Sequence, residues 1–368
     1  MFNFNWKLDW LPGWQKDNPT NIFEPAIYVG IGGGAVAAAA IVITFGWPFY
    51  TPSVQTGPRG TGMSVVEAGL QAGNIDPSIE EYYTEEPYVP GPEEPLMKDI
   101  ADYENVQVLG DLTEDNFNRL MGAITQWVSP EQGCAYCHNE ENYASDEVYT
   151  KVVSRRMIQM TQNLNESWPE HVGPAGVNCY TCHRGQNVPQ EIWFRIDPLT
   201  EATSGWAAVQ NRATYQSQST SLPSDALQTY LVDYGQIAVH DLESRVDNEG
   251  TASIQDTERT YSLMNYFANS LGVNCVFCHN SRAFYDPEQH TPQWSVAMLG
   301  ISMVLEMNND YLIDLRDVYP EHRLGPIHQD APKAACKTCH LGYNKPLQGL
   351  DMITDWPELA ASGPPVYE

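Results

Sequence analysis

The chain has 368 residues, enough for two or three ordinary domains, and a formal net charge of −28 from 19 basic and 47 acidic side chains. Such an acidic chain is not expected to bind nucleic acid, because that binding depends on Lys and Arg side chains that displace counterions from phosphates. The charge favours partners with basic surfaces, although an acidic surface also serves solubility alone.

The first 50 residues combine a tryptophan-rich segment with a long uncharged run. Residues 1–25 contain Trp6, Trp10 and Trp14, a spacing typical of a segment at the membrane–water interface, with a disordered tail as the alternative. The run 26–50 has no charged side chain, and as a helix it would reach roughly 37 Å, enough for a hydrocarbon core of about 30 Å. A secretory signal is the competing interpretation, but its apolar part is about 7–15 residues long and has a basic flank. The uncharged run of this chain is longer, and its flank is not basic. We therefore expect a retained single-pass transmembrane helix, with the N-terminus in the cytoplasm.

The next segment, residues 51–100, is rich in Pro, Gly, Asp and Glu. This composition predicts an extended strap with little regular structure on the periplasmic side.

Residues 101–368 carry one five-residue pattern four times: two cysteines separated by two residues and followed directly by histidine. C-x-x-C-H is the attachment signature of c-type haem, because two thiols add to the haem vinyl groups and the adjacent imidazole reaches the iron. The four copies use all eight cysteines, which argues against zinc, disulfide and redox-dithiol interpretations. The sequence thus predicts four covalent haems, attached at Cys134 and Cys137, Cys179 and Cys182, Cys275 and Cys278, and Cys336 and Cys339, with His138, His183, His279 and His340 as proximal ligands. Covalent haem attachment takes place outside the bacterial cytoplasmic membrane, so this domain should be periplasmic.

A helix is predicted before each motif, and the motifs fall into two similar pairs. The first and third motifs are followed by Asn, whereas the second and fourth read C-x-T-C-H-x-G. The tripeptide Pro-Glu-His precedes both the second and the fourth motif. This repetition predicts a mainly α fold with two pseudo-symmetric dihaem halves. The helices are expected at 113–126, 145–164, 256–270 and 291–318. The stretch 186–254, which separates the two predicted halves, is expected to hold turns and short strands.

Three methionines inside the predicted helices are candidate sixth ligands. Met121, Met157 and Met264 precede the first cysteines of the first three motifs by 13, 22 and 11 residues. A thioether ligand raises the potential of a haem, whereas a second imidazole lowers it. Helical methionine also commonly fills a core, and spacing alone leaves both roles open.

Taken together, these features resemble the tetrahaem cytochrome subunit of purple-bacterial photosynthetic reaction centres, over roughly residues 60–368. The resemblance rests on the four motif spacings and on five short segments: Arg155-Arg156-Met157, Glu170-His171, Gly272-Val273-Asn274-Cys275, Thr291-Pro292-Gln293 and Lys345-Pro346-Leu347. It implies that Met121, Met157 and Met264 ligate the first three haems and that His171 ligates the fourth. The internal repeat points instead to Met303, the apparent duplicate of Met157, and His322 is a further alternative. Arg155, Arg156 and Arg184 flank predicted ligands, where they can pair with haem propionates or serve as structural cations.

The resemblance also implies a function: an electron-transfer subunit, not an enzyme, in the inner membrane. It would accept electrons from a soluble periplasmic cytochrome or iron–sulfur protein and re-reduce the photo-oxidised bacteriochlorophyll pair held by the L and M subunits. The alternatives are a membrane-anchored multihaem quinol dehydrogenase, which usually has shorter motif spacing and mostly bis-histidine haems, and a free electron conduit.

Overall fold

The computed structural model describes residues 23–45, 53–55, 65–67, 75–196, 214–217, 220–239, 252–284 and 286–367. Within these ranges the chain is mainly helical, as predicted. The helices are α1 (Phe23–Phe45), α2 (Glu114–Val128), α3 (Tyr149–Ser167), α4 (Pro169–Val172), α5 (Cys179–His183), α6 (Ala226–Leu231), α7 (Ile254–Leu271), α8 (Pro292–Glu306) and α9 (Cys336–His340). Two short strands, β1 (Ser53–Gln55) and β2 (Val65–Glu67), form a two-stranded sheet.

The chain divides into two compact units. One comprises residues 1–54 and 66–73 and includes α1, and the other comprises residues 55–65 and 74–368 and includes all four motifs. Helix α1 covers most of the predicted anchor run, whereas residues 1–22 of the predicted interfacial segment lie outside the described residues. Within the described ranges, no helix has the length and apolar composition that a membrane crossing requires.

Of the predicted strap, 51–100, the described residues 53–55 and 65–67 form strands β1 and β2. Residues 75–100 have little regular structure and contain two single 3₁₀ turns, Pro77–Ile79 and Met97–Asp99. The segment 186–254 differs from its prediction. Its described residues form helix α6 and an isolated bridge from Trp193 to Lys333, with no strand among them.

The long helices begin at or within four residues of their predicted starts. Thr113 is the N-cap of α2, as predicted. Helix α7 begins two residues before the predicted Asp256, because Ser253 and Asp256 exchange hydrogen bonds in a capping box. Helix α3 begins at Tyr149, four residues after the predicted start at Ser145. The predicted fourth helix is divided: α8 ends at Glu306 and continues as a π-helical turn to Leu312 and a 3₁₀ turn to Asp317.

Two hydrophobic clusters hold the domain that contains the motifs. The first lies among α6, α7 and α8, and its buried members include Leu227, Leu231, Leu263, Tyr266 and Val304. The second joins α2 to the C-terminal segment, and its buried members include Met97, Leu120, Trp127, Trp356 and Leu359. Beside it, Arg119 bonds to Glu358 at 2.6 Å with the two side chains 5% and 0% exposed.

Candidate haem sites

The four motifs adopt two local conformations that match the two pairs seen in the sequence. The first and third form 3₁₀ turns at Gly133–Tyr136 and Cys275–Phe277, whereas the second and fourth are the short helices α5 and α9. In the first pair, the histidine amide bonds to the carbonyl of the first cysteine, at 2.9 Å for His138 and 3.0 Å for His279. None of the eight cysteines is in a disulfide, so all eight sulfurs are available for vinyl addition.

Each motif histidine turns one ring nitrogen toward a backbone carbonyl. A carbonyl oxygen can only accept a hydrogen bond, so Nδ1 must carry the proton and Nε2 keeps its lone pair. Burial lowers the pKa of these rings, to about 4 for His340, which keeps them neutral. Histidines that bind a metal through one ring nitrogen typically donate a hydrogen bond from the other ring nitrogen in this way. The Nδ1–carbonyl distances are 3.4 Å from His138 to Tyr143, 2.9 Å from His183 to Gln186, 3.2 Å from His279 to Phe284 and 2.9 Å from His340 to Tyr343.

A fifth histidine, His171 in α4, has the same arrangement and faces His340. Its Nδ1 lies 2.9 Å from the carbonyl of Val296 in α8, and burial lowers its pKa. The ring centres of His171 and His340 are 6.4 Å apart. Metal–imidazole bonds of about 2 Å, with about 1.1 Å from nitrogen to ring centre, give about 6 Å between two imidazoles on one metal. The separation of the two ring centres is therefore close to the distance that two imidazoles bound to one iron would have.

A cavity of about 980 Å³ connects several of the motifs. Its lining is mostly apolar and includes His171, His183, His340 and Met157. Six cysteines from all four motifs also line it: Cys137, Cys179, Cys182, Cys278, Cys336 and Cys339. The sulfurs of Cys182 and Cys339 lie 2.7 Å apart, which brings the second and fourth motifs together. An apolar cavity edged by paired thiols and neutral imidazoles fits c-type haem.

The three predicted methionine ligands lie on the helices expected to carry them. Met121 in α2, Met157 in α3 and Met264 in α7 are all partly buried beside the hydrophobic clusters. Met157 lines the cavity. Met160, one turn further along α3, also lines it but is a buried member of the first cluster, at 9% exposure.

Two threonines make equivalent contacts with the first and third motifs. Thr150 donates to the carbonyl of Tyr136 in the first motif, and Thr291 donates to the carbonyl of Phe277 in the third, at 2.7 Å. Each threonine follows the first cysteine of its motif by 16 residues. Met157 is the seventh residue after Thr150, and the seventh after Thr291 is Met298. In the register that these two threonines set, the counterpart of Met157 is Met298, five residues before Met303.

The second motif contacts the helix that precedes the first motif, and the fourth motif contacts the helix that precedes the third. The amide of Gly185 bonds to the carbonyl of Trp127 in α2 at 2.9 Å, and the amide of Gly342 bonds to Ser270 in α7 at 2.8 Å. Both glycines have positive φ, 75° and 92°, as the turn after each short helix requires. The same contacts thus occur twice, once in each predicted half.

The three flanking arginines each have an acidic partner within the chain. Arg155 pairs with Asp146 at 2.9 Å, Arg156 lies 4.0 Å from Asp314, and Arg184 pairs with Asp76 at 2.8 Å. Sequence reasoning missed three kinds of residue at these sites: Asp76, the threonine pair and Gly300, whose backbone lies against His171. The equal 16-residue spacing could have identified the threonines, whereas no local pattern marks Asp76.

Comparison with known proteins agrees with this geometry. A family model described as "Photosynthetic reaction centre cytochrome C subunit" matches residues 47–360. The chain is 65% identical to the photosynthetic reaction center cytochrome c subunit of Roseobacter denitrificans, over 98% of this chain and 99% of that protein. It is 40% identical to the protein of that name from Rubrivivax gelatinosus, over 88% and 87% of the two chains, and 43% identical to that from Thermochromatium tepidum, over 70% and 63%. The chain therefore belongs to the family of photosynthetic reaction centre cytochrome c subunits.

Proposed function

We propose that this chain binds four c-type haems and delivers electrons from a soluble periplasmic donor to the photo-oxidised bacteriochlorophyll pair of a reaction centre. A bound haem supplies a one-electron iron couple, and the protein contributes attachment, orientation and electrostatic tuning. The observation that carries the proposal is the set of five neutral histidines that turn Nδ1 to a backbone carbonyl and leave Nε2 available.

The proposed ligand set follows from this geometry and from the family resemblance. His138, His183, His279 and His340 are the proximal ligands of the four haems in chain order. The sixth ligands are Met121, Met157 and Met264 for the first three, and His171 for the fourth. The 6.4 Å separation of the His171 and His340 ring centres supports His171 over Met303 and His322.

The proposed organisation keeps the boundaries expected from the sequence. Residues 1–25 are an interfacial segment, 26–50 the single transmembrane anchor, 51–100 a strap and 101–368 a periplasmic tetrahaem domain. The duplicated threonine and glycine contacts support two pseudo-symmetric dihaem halves. The core subunits L and M are the proposed membrane partners, because the relatives are named as subunits of the reaction centre.

Flash kinetics on membranes test the function. After a flash, we expect the oxidised bacteriochlorophyll pair to be re-reduced as haem absorbance bleaches, and this phase should be absent from membranes that lack the chain. Chemical haem quantification should give four covalent haems for each chain. If quinol reduces the haems in the dark while the flash-oxidised pair recovers equally fast without the chain, the quinol dehydrogenase alternative replaces this one.

A separate titration tests the ligand set. Met264→His should lower the potential of one haem and leave the other three nearly unchanged, because a second imidazole favours ferric iron. Four low-potential haems in the unaltered protein would contradict the three methionine ligands.

A further inference from the structure

One arginine side chain bridges the second and fourth motifs inside the protein. Arg184 directly follows His183, and its Nε donates to the carbonyl of Thr181 within the second motif at 3.1 Å. Its Nη2 donates to the carbonyl of Cys339, which precedes His340 in the fourth motif, at 3.3 Å. The same guanidinium thus contacts the backbone beside two proposed proximal ligands.

The negative partner of this arginine comes from the strap. Asp76 accepts from Nη1 of Arg184 at 2.8 Å, and both side chains are only 4% exposed. The Asp76 carboxylate also accepts hydrogen bonds from the amide and hydroxyl of Ser78, at 3.0 and 2.8 Å. The hydroxyl of Tyr180, inside the second motif, donates to the carbonyl of Ser78 at 2.8 Å. The strap is therefore fixed to the second motif beside the ion pair.

The duplication shows that this charge is special to one half. Leu341 occupies the position in the fourth motif that Arg184 has in the second, directly after the proximal histidine. Both residues have left-handed backbones, with φ of 48° and 50°, so their backbones are equivalent and their side chains differ. One arginine therefore contacts both motifs, and the fourth has no charge of its own at this position.

We propose that the buried Arg184–Asp76 pair is a positioning and potential-tuning device shared by the second and fourth haems. It rests on the proposed function, because it requires haems at both motifs. A positive charge in a medium of low dielectric constant stabilises ferrous over ferric iron and raises the potential, and the carboxylate offsets this effect. The strap residue Asp76 thus limits how far Arg184 raises both potentials.

Redox titration of single variants tests this device. Arg184→Gln should shift the potentials of two of the four haems downward, and Asp76→Asn should shift the same two upward. Arg184→Lys and Asp76→Glu keep the charges and should leave both potentials close to the parent values. The matched control is Asp111→Asn, which removes one charge from the exposed Lys98–Asp111 pair and should shift none of the four.

The outcomes separate this inference from the proposed function. Absence of four haem waves in the parent protein would overturn the proposed function itself. Four normal waves that neither variant moves, or that Asp111→Asn moves equally, would overturn the tuning role and leave a purely structural pair. If Arg184→Gln loads fewer than four haems, Asp76→Asn decides alone: an upward shift of two potentials supports the device, and unchanged potentials reject it.

Discussion

Replacement of Gly300 by alanine should displace His171, the proposed sixth ligand of the fourth haem, without unfolding the chain. A Cβ at this position would lie 2.4 Å from Cε1 of His171 and 3.2 Å from its Nε2. Carbon atoms pack at about 3.5–4.0 Å, so the ring must move about 1 Å. The His171 ring is also hydrogen-bonded to the carbonyl of Val296, which lies in α8 one turn before Gly300. The ring therefore cannot move away from Gly300 without straining that hydrogen bond.

The energies indicate that the fold survives this change. Alanine is favoured over glycine inside a helix by about 1 kcal/mol, and a lost hydrogen bond costs about 1 kcal/mol net. These terms nearly cancel, so the free energy of unfolding should change by no more than about 1 kcal/mol. A ligand must stay within about 0.5 Å of its productive position, so a displacement of about 1 Å is enough to break the bond to iron.

Electron paramagnetic resonance of the ferric protein measures this outcome. We expect Gly300→Ala to lose one low-spin bis-histidine signal and gain a high-spin one, and its reduced form to bind carbon monoxide at one haem. Gly122→Ala is the control, because it makes the same substitution in α2 with no atom within 4 Å of the new Cβ. If Gly300→Ala keeps four low-spin haems and binds no carbon monoxide, the assignment of His171 is refuted.

Three further outcomes are expected. Met157→Leu should lower the potential of one haem in a redox titration. Met160→Leu is a volume-conserving core change that costs under about 1.5 kcal/mol and should shift no haem potential. The reverse result would exchange the roles of the two methionines. Arg119→Ala should lower the free energy of unfolding by about 3–5 kcal/mol, because it leaves Glu358 buried without its cation. Denaturant unfolding measures this loss, and unchanged haem potentials in the variant would confirm that the role of Arg119 is structural. Reduction of the flash-oxidised haems by a basic soluble cytochrome should slow several-fold as the Debye length falls from about 30 Å at 0.01 M salt to about 8 Å at 0.15 M, because the chain carries a charge of −28. Electron transfer from the haems to the bacteriochlorophyll pair is the salt-independent control for that experiment, and a donor rate that is flat with salt would indicate an apolar docking surface instead.

The predicted helices were located correctly, although several of their boundaries were not. The sequence predicts four long helices, one before each motif, and each is present, the fourth divided into α8, a π-helical turn and a 3₁₀ turn. Ser145 is the predicted start of α3, but its hydroxyl accepts a hydrogen bond from the amide of Glu147 in a turn, and the helix begins at Tyr149. The π-helical turn Met307–Leu312 was also missed, because its hydrogen-bond pattern leaves no sequence period that distinguishes it from the end of an α-helix.

The sequence alone predicts four haems, their attachment cysteines and their proximal histidines, and the family match supports c-type haem. That chemistry is local, because two thiols and an imidazole must stand within five residues to reach one haem. The tertiary structure supplies the contacts between distant segments: the rings of His171 and His340 with centres 6.4 Å apart, Thr150 and Thr291 against the first and third motifs, and Asp76 against Arg184. Each of these depends on how helices and the strap pack, which no short-range spacing in the sequence encodes.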